Sequence, residues 1–183
     1  GAGIDTVVTT EPFFEFFYFT LPQPRFLVET PVNSGIFATT QNVEILQLSS
    51  GERFELLQGL NSTNNALSPS LGLSVIAVSD NGDDTLTGGL LNDYFFGGNG
   101  VDLFTGGGGA DVFSSYGGQP ENLNNDSILD FGTDDEIIVH ADLSLENVFF
   151  AAQPGHLIIS IDTNFDFDPD VTINLWGDAT LAD

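Results

Sequence analysis

The chain has 183 residues, 41% of them hydrophobic, and sets 27 acidic side chains against two arginines and no lysine, for a formal charge of −25. That is too apolar for a disordered acidic tail, and too acidic for nucleic acid, which needs a basic footprint, or for anionic membrane surfaces. No apolar run approaches the roughly 18 residues of a membrane-spanning helix, so no membrane insertion is expected.

Self-repulsion at this charge density opposes a compact state, so bound cations are expected to be coupled to folding. There is no cysteine, so disulfides are not available as staples. The chain opens with Gly-Ala-Gly and has no basic leader. Either a leader has been removed or the chain is a piece of a longer one.

Residues 1–70 are expected to form a Phe-rich, irregular β segment and a candidate assembly interface. Asp5 and Val7 match the sixth and eighth positions of the nine-residue unit described below. Six of the seven residues from Phe13 to Phe19 are aromatic, with Glu15 between them. Two readings stay open: a strand covered on both faces, or an exposed edge meeting another molecule, with Glu15 as its gatekeeper. Asn42–Leu48 alternates as a strand, Ser49–Glu52 reads as a turn and Arg53–Leu57 as the returning strand. Asn61–Ser70 is expected to be a polar linker or loop, and Leu73–Val78 a strand leading into the next segment.

Four near-repeats of nine follow: SDNGDDTLT, GGLLNDYFF, GGNGVDLFT and GGGGADVFS, from Ser79 to Ser114. The sixth position is always Asp (Asp84, Asp93, Asp102, Asp111) and the eighth always apolar (Leu86, Phe95, Phe104, Phe113). A short fixed period means a solenoid whose units bury their apolar side chains only against their neighbours. The residues after each Asp alternate as a very short strand. With two repeats per coil, Asp84 and Asp102 fall on one edge and Asp93 and Asp111 on the other.

The glycines of the first four positions permit tight turns that leave carbonyls uncovered. Carbonyl and carboxylate oxygens in that number suit Ca²⁺. The candidate metal-site residues are therefore the four aspartates together with Asp80, Asn81, Gly82, Gly88, Gly97, Gly98, Asn99, Gly100, Gly106, Gly107, Gly108 and Gly109. The first copy has Ser79 and Asp80 where two glycines would stand, with Asp80 and Asp83 as extra carboxylate. The second copy has Leu91 at the fourth position.

This pattern resembles the G-G-x-G-x-D-x-U-x nonapeptide of the repeat-in-toxin family, in which the repeats fold as a calcium-bound parallel β-roll. The resemblance implies an all-β fold, with a roll over 71–120 flanked by β-hairpins and sandwich-like segments, and Ca²⁺ as the cofactor. The hairpin over 42–57 is similar to segments between nonapeptide blocks in that family.

Ser115–Asn125 reads as an irregular connection into a C-terminal β cap over 121–183. Asp126-Ser-Ile-Leu-Asp130-Phe, with Asp135 beyond it, resembles the segment that closes the roll in serralysin-type proteins, which adds Asp126 and Asp130 to the metal set. Ser144–Phe150 reads as a turn or short helix ahead of a strand. His156–Ile161 and Val171–Trp176 read as a hairpin around an acidic loop. Its oxygens at alternate positions (Asp162, Asn164, Asp166, Asp170) fit either a cation loop like that of serralysin C-terminal domains or a solvated acidic turn. It is a poor EF-hand, since Phe167 stands where the turn glycine belongs. Leu175–Asp183 resembles a C-terminal type I secretion signal.

No H-E-x-x-H zinc helix, G-x-S-x-G elbow, Walker A loop or dinucleotide fingerprint occurs, and His140 and His156 read as polar strand-end residues. No enzyme is expected. The expected function is a secreted calcium-binding structural or adhesive protein. It would lie outside the cell or on its surface, exported by type I secretion from a Gram-negative-type bacterium. It would self-associate or meet cell-surface or matrix components. Two alternatives are a C-terminal secretion and folding module of a larger secreted enzyme, and a carbohydrate-binding module.

Overall fold

The computed structural model describes residues 6–8, 26–28, 36–38, 45–47, 51–59, 64–115, 120–139 and 145–177. The chain divides into two compact units, Gly1–Leu56 and Leu57–Asp183. The aromatic run of Phe13–Phe19, His140 and the last six residues of the secretion-like segment lie outside the described residues.

In the first unit, β1 (Thr6–Val8) runs parallel to β4 (Ile45–Gln47), and β2 (Phe26–Val28) pairs antiparallel with β3 (Ile36–Ala38). The expected hairpin is present: β4 pairs antiparallel with β5 (Arg53–Gly59), Leu46 lying opposite Phe54. Gly51, at φ 95°, takes the left-handed turn conformation that glycine adopts without a Cβ penalty.

The second unit holds a parallel β-solenoid, as the repeats predict. Successive strands alternate between two sheets: β6 (Ala66–Leu67), β7 (Ser74–Ser79), β8 (Thr85–Thr87), β9 (Tyr94–Phe96), β10 (Leu103–Thr105), β11 (Val112–Ser114), β12 (Asp126–Phe131) and β13 (Glu136–Ile138). One sheet takes β7, β9, β11 and β13; the other takes β6, β8, β10 and β12. Each coil lies on the one before in register, Leu86 beside Phe104 and Ala77 beside Phe95. The final step is longer, Phe104 beside Ile128 and Phe113 beside Ile137, because the 115–125 connection is inserted there. That connection carries a 3-10 turn, Pro120–Leu123, whose Leu123 is fully buried.

The eighth positions make the core. Leu86, Phe95, Phe104 and Phe113 are all 0% exposed. Phe95 and Phe113, from one sheet, stack at 5.1 Å and 10°, and Phe104, from the other, meets both edge-on. Such aromatic pairs contribute about 0.5–1.5 kcal/mol each beyond the area they bury.

One expectation is corrected. Asn61–Ser70 is not only linker, because Ala66–Leu67 forms the first rung, parallel to β8 with Leu67 beside Leu86. Two apolar residues suffice for a rung when the next coil supplies the ladder, and so short a strand leaves no period in the sequence.

Beyond the roll, a second 3-10 turn (Leu145–Asn147) precedes β14 (Val148–Gln153). β15 (His156–Ile161) and β16 (Val171–Gly177) form the expected hairpin. β16 adds parallel to β12, and β15 and β14 follow antiparallel, extending that sheet to seven strands. Leu157, Ile161, Val171, Ile173 and Leu175 join the same core as the phenylalanines, so the cap and the roll share one core.

Candidate metal centre

The two rows of aspartates stand where the two-repeat coil puts them. On the first edge, Asp84 Oδ1 accepts the Asn65 N–H at 2.6 Å, Asp102 Oδ1 the Asp84 N–H at 2.8 Å, and Asp126 Oδ1 the Asp102 N–H at 2.7 Å. On the second edge, Asp93 accepts from Val75, Asp111 from Asp93 and Asp135 from Asp111, at 2.6, 2.9 and 2.9 Å. Each carboxylate thus caps a backbone donor of the preceding coil, most often the N–H of the preceding aspartate. This ties the polar column to the same offset as the apolar one.

The second oxygen of each group differs between the edges. On the first edge, Oδ2 of Asp84, Asp102 and Asp126 is buried with no hydrogen-bond partner. On the second, Asp93 Oδ2 accepts the Gly89 N–H and Asp135 Oδ2 the Gly132 N–H. Burial without a counter-charge disfavours the ionised form. It pushes the carboxyls up, to about 6 for Asp102, about 7 for Asp111 and about 8 for Asp126, with Asp93 also raised; neighbouring aspartates add to the shift at Asp102, Asp111 and Asp126. A buried carboxylate oxygen without a hydrogen-bond partner is rare, and either a proton or a cation relieves it.

The glycines make room for these groups. A Cβ on Gly97 or Gly106 would fall on Oδ2 of Asp102 or Asp111, five residues along, and one on Gly88 would fall on Asp93 Oδ2. Gly98, at φ 86°, and Gly107 pack against the carbonyls of Asp80 and Gly89, the same turn position one coil earlier. Gly108 donates to the Gly89 carbonyl and Gly82 to the Asn99 carbonyl. Gly82, Gly100 and Gly109 all have positive φ, whereas Leu91 at the same position does not. Asp80 enters through its carbonyl, which accepts the Asn99 N–H at 2.7 Å.

Among the described residues no three His, Cys, Asp or Glu side chains cluster as a metal centre. The carboxylates form rows instead, one aspartate per coil along each edge. The donor set fits a hard divalent cation: oxygen only, several carboxylates, a water-excluded wall and orphaned oxygens.

Asp130 lies beside the second column, close enough for its charge to help raise the Asp111 carboxyl. Its two oxygens accept the N–H groups of Gly106 and Gly107, at 2.8 and 2.9 Å, so it clamps the fourth repeat's turn. The acidic loop is held by bonds within itself. Asp162 is buried and takes the N–H groups of Asn164, Phe165 and Phe167, while Asp170 takes Thr163 and the Asn164 side chain. Asn164 and Asp166 accept the N–H groups of Asp166 and Asp168. The Thr163 hydroxyl and N–H hold Asp170 below the usual carboxylate range. Phe165 and Phe167 sit at φ 66° and 72°, a strain that the Asp162 bonds hold in place.

Asn65, Asn92 and Asn122 were not foreseen, while Asp83, Asn81 and Asn99 were expected as cation ligands and here accept or donate hydrogen bonds. Asn65 caps the first column. Asp83 and Asn92, both at the fifth position, cap the N–H groups of Val101 and Ala110 one coil on, and their recurring D/N identity was the available signal. Asn81, Asn99 and Asn122 form a side-chain ladder along the first edge. His156 starts β15 and stacks on Trp176 at 4.2 Å.

No protein-family model matches the chain, and neither does any curated protein sequence.

Proposed function

We propose that this chain is a secreted calcium-binding structural or adhesive protein, whose roll folds when Ca²⁺ enters the aspartate columns and which then associates with copies of itself or with cell-surface or matrix components. The observation that carries the reading is the set of buried, unpartnered Oδ2 atoms on Asp84, Asp102 and Asp126. Three such oxygens along one edge, in a chain of formal charge −25, call for cations. The donors are all hard oxygens, which favours Ca²⁺ over thiophilic or imidazole-seeking metals. Sites of this kind fill at the millimolar calcium found outside cells. The resemblance of the nonapeptides to the repeat-in-toxin pattern supports the same reading, and with it export by type I secretion.

The test is a calcium titration of chelated protein at neutral pH, followed by circular dichroism and light scattering together. A coil-to-β transition with growing particle size is the expected result. A chain fully folded in chelator and indifferent to calcium sinks the metal reading; a calcium-folded monomer at every concentration sinks the assembly reading alone.

A further inference from the structure

The second unit manages two of its strand edges in the usual ways. A free edge offers unpaired N–H and C=O groups to any passing strand, and proteins blunt it with short strands or charge. β6 ends one sheet after two residues, and β13 ends the other after three, with the exposed Glu136. β14 is different. It ends its sheet with six residues, Val-Phe-Phe-Ala-Ala-Gln, and not one is ionisable. Among the described residues it pairs only with β15.

Its side chains are open on both faces. Val148, Phe150 and Ala152 lie beside Ile161, Ile159 and Leu157, so they point to the core side. Only Val148 is packed against the core, while Phe150 is 52% exposed and Ala152 is exposed. On the outer side Phe149 is 47% exposed and Ala151 and Gln153 are exposed. β16 and β15 still pack on the core, and the last strand, β14, overhangs it beyond Val148.

We infer that β14 is a strand-addition edge whose occupant is β14 of a second copy of this chain, paired antiparallel about a two-fold axis. The inference rests on the self-association reading above and names the surface that performs it. An edge of this kind is satisfied by a strand, since only a strand supplies a matching row of donors and acceptors. Charge chooses which strand. A chain of −25 repels its own copies over most of its surface, and the uncharged β14 is where two copies meet without that cost. Antiparallel addition continues the pattern of β15 and β16.

Opposite residues in such a pair share a face, which requires like parity. Centred on Ala151, the register puts Phe150 against the partner's Ala152, large beside small, and Phe149 against the partner's Gln153. The strand is roughly 20 Å long. A single strand of that length buries less than the about 800 Å² per partner of a standard interface, so the dimer is a weak one.

The experiment is sedimentation velocity on the full chain in millimolar calcium and about 0.15 M salt, up to about 1 mM protein. Wild type is compared with Ala151→Glu and Ala151→Lys, singly and mixed, with circular dichroism checking that each is folded. Ala151 is exposed on the outer face, so neither charge enters the core. The expected result is a wild-type monomer–dimer equilibrium, at least tenfold weaker in each variant and recovered when the two are mixed, because Glu then faces Lys across the axis. Dimerisation unchanged in both variants overturns the β14 interface and leaves self-association standing. A folded wild type that stays monomeric throughout overturns both.

Discussion

Replacing Asp126 by Asn has opposite effects with and without calcium. Asp126 is 0% exposed, and burial pushes its carboxyl from the ordinary 3.8 up to about 8. A folded-state value above the unfolded one means that the native chain binds the extra proton between those limits. Stability without calcium therefore falls as pH rises from about 4 to about 8. At pH 7 the native carboxyl is mostly protonated while the unfolded one is ionised, and taking up that proton costs on the order of 4 kcal/mol, at 1.36 kcal/mol per unit. Asn keeps the oxygen that accepts the Asp102 N–H and removes this cost. Its amide leaves two donors where the acid leaves one, which gives back about 1–2 kcal/mol. Asp126→Asn is thus expected to be more stable than wild type by about 2–3 kcal/mol in chelator at pH 7, with a flatter pH dependence, and less stable in saturating calcium, where a charged ligand is lost. The β content by circular dichroism from pH 4.5 to 8 in chelator, where the wild type unfolds as pH rises, and urea denaturation in calcium read the two signs. The reasoning would be refuted by a variant weaker than wild type in chelator at pH 7, or by wild-type stability that rises over that range.

Calcium affinity is expected to rise from pH 6 to pH 8, because binding needs the ionised forms of Asp102, Asp111 and Asp126, which titrate at about 6, 7 and 8. Calorimetry in two buffers of different ionisation enthalpy should then show net proton release near pH 7. Gly98→Ala drives a Cβ into the Asp80 carbonyl at φ 86° and is expected to cost about 3 kcal/mol or more in thermal or urea denaturation. Phe104→Ala empties the edge-on position between Phe95 and Phe113 and is expected to cost about 3–5 kcal/mol by the same assay, without changing the aspartate columns directly.

The roll was legible because its information is local and repeated. The eighth-position side chains and the sixth-position aspartates each report a side-chain direction, and two repeats per coil place both on their edges. Asp126 was legible only through a resemblance, since its step of 24 residues from Asp102 breaks the period of 18 between Asp84 and Asp102. β6 was not legible, because a two-residue rung has no alternation and its pairing is supplied wholly by β8. The orphaned Oδ2 atoms belong to burial, which a period cannot report, and so does the contrast between the two edges. The acidic loop showed its carboxylates but not their use: the left-handed Phe165 and Phe167 turn backbone N–H groups onto Asp162, a conformation that bulky residues rarely announce.

The capping ladder also has a direction. The Asp84 N–H waits for Asp102, that of Asp102 for Asp126, that of Asp93 for Asp111 and that of Asp111 for Asp135. In every case the acceptor lies later in the chain. A polypeptide emerging N-terminus first therefore cannot complete any coil until the following one has arrived, and the last two wait for the segment that carries β12 and β13. An unfinished chain keeps its newest turn open, which delays closure until the whole array is present and lets it lock from its far end backwards.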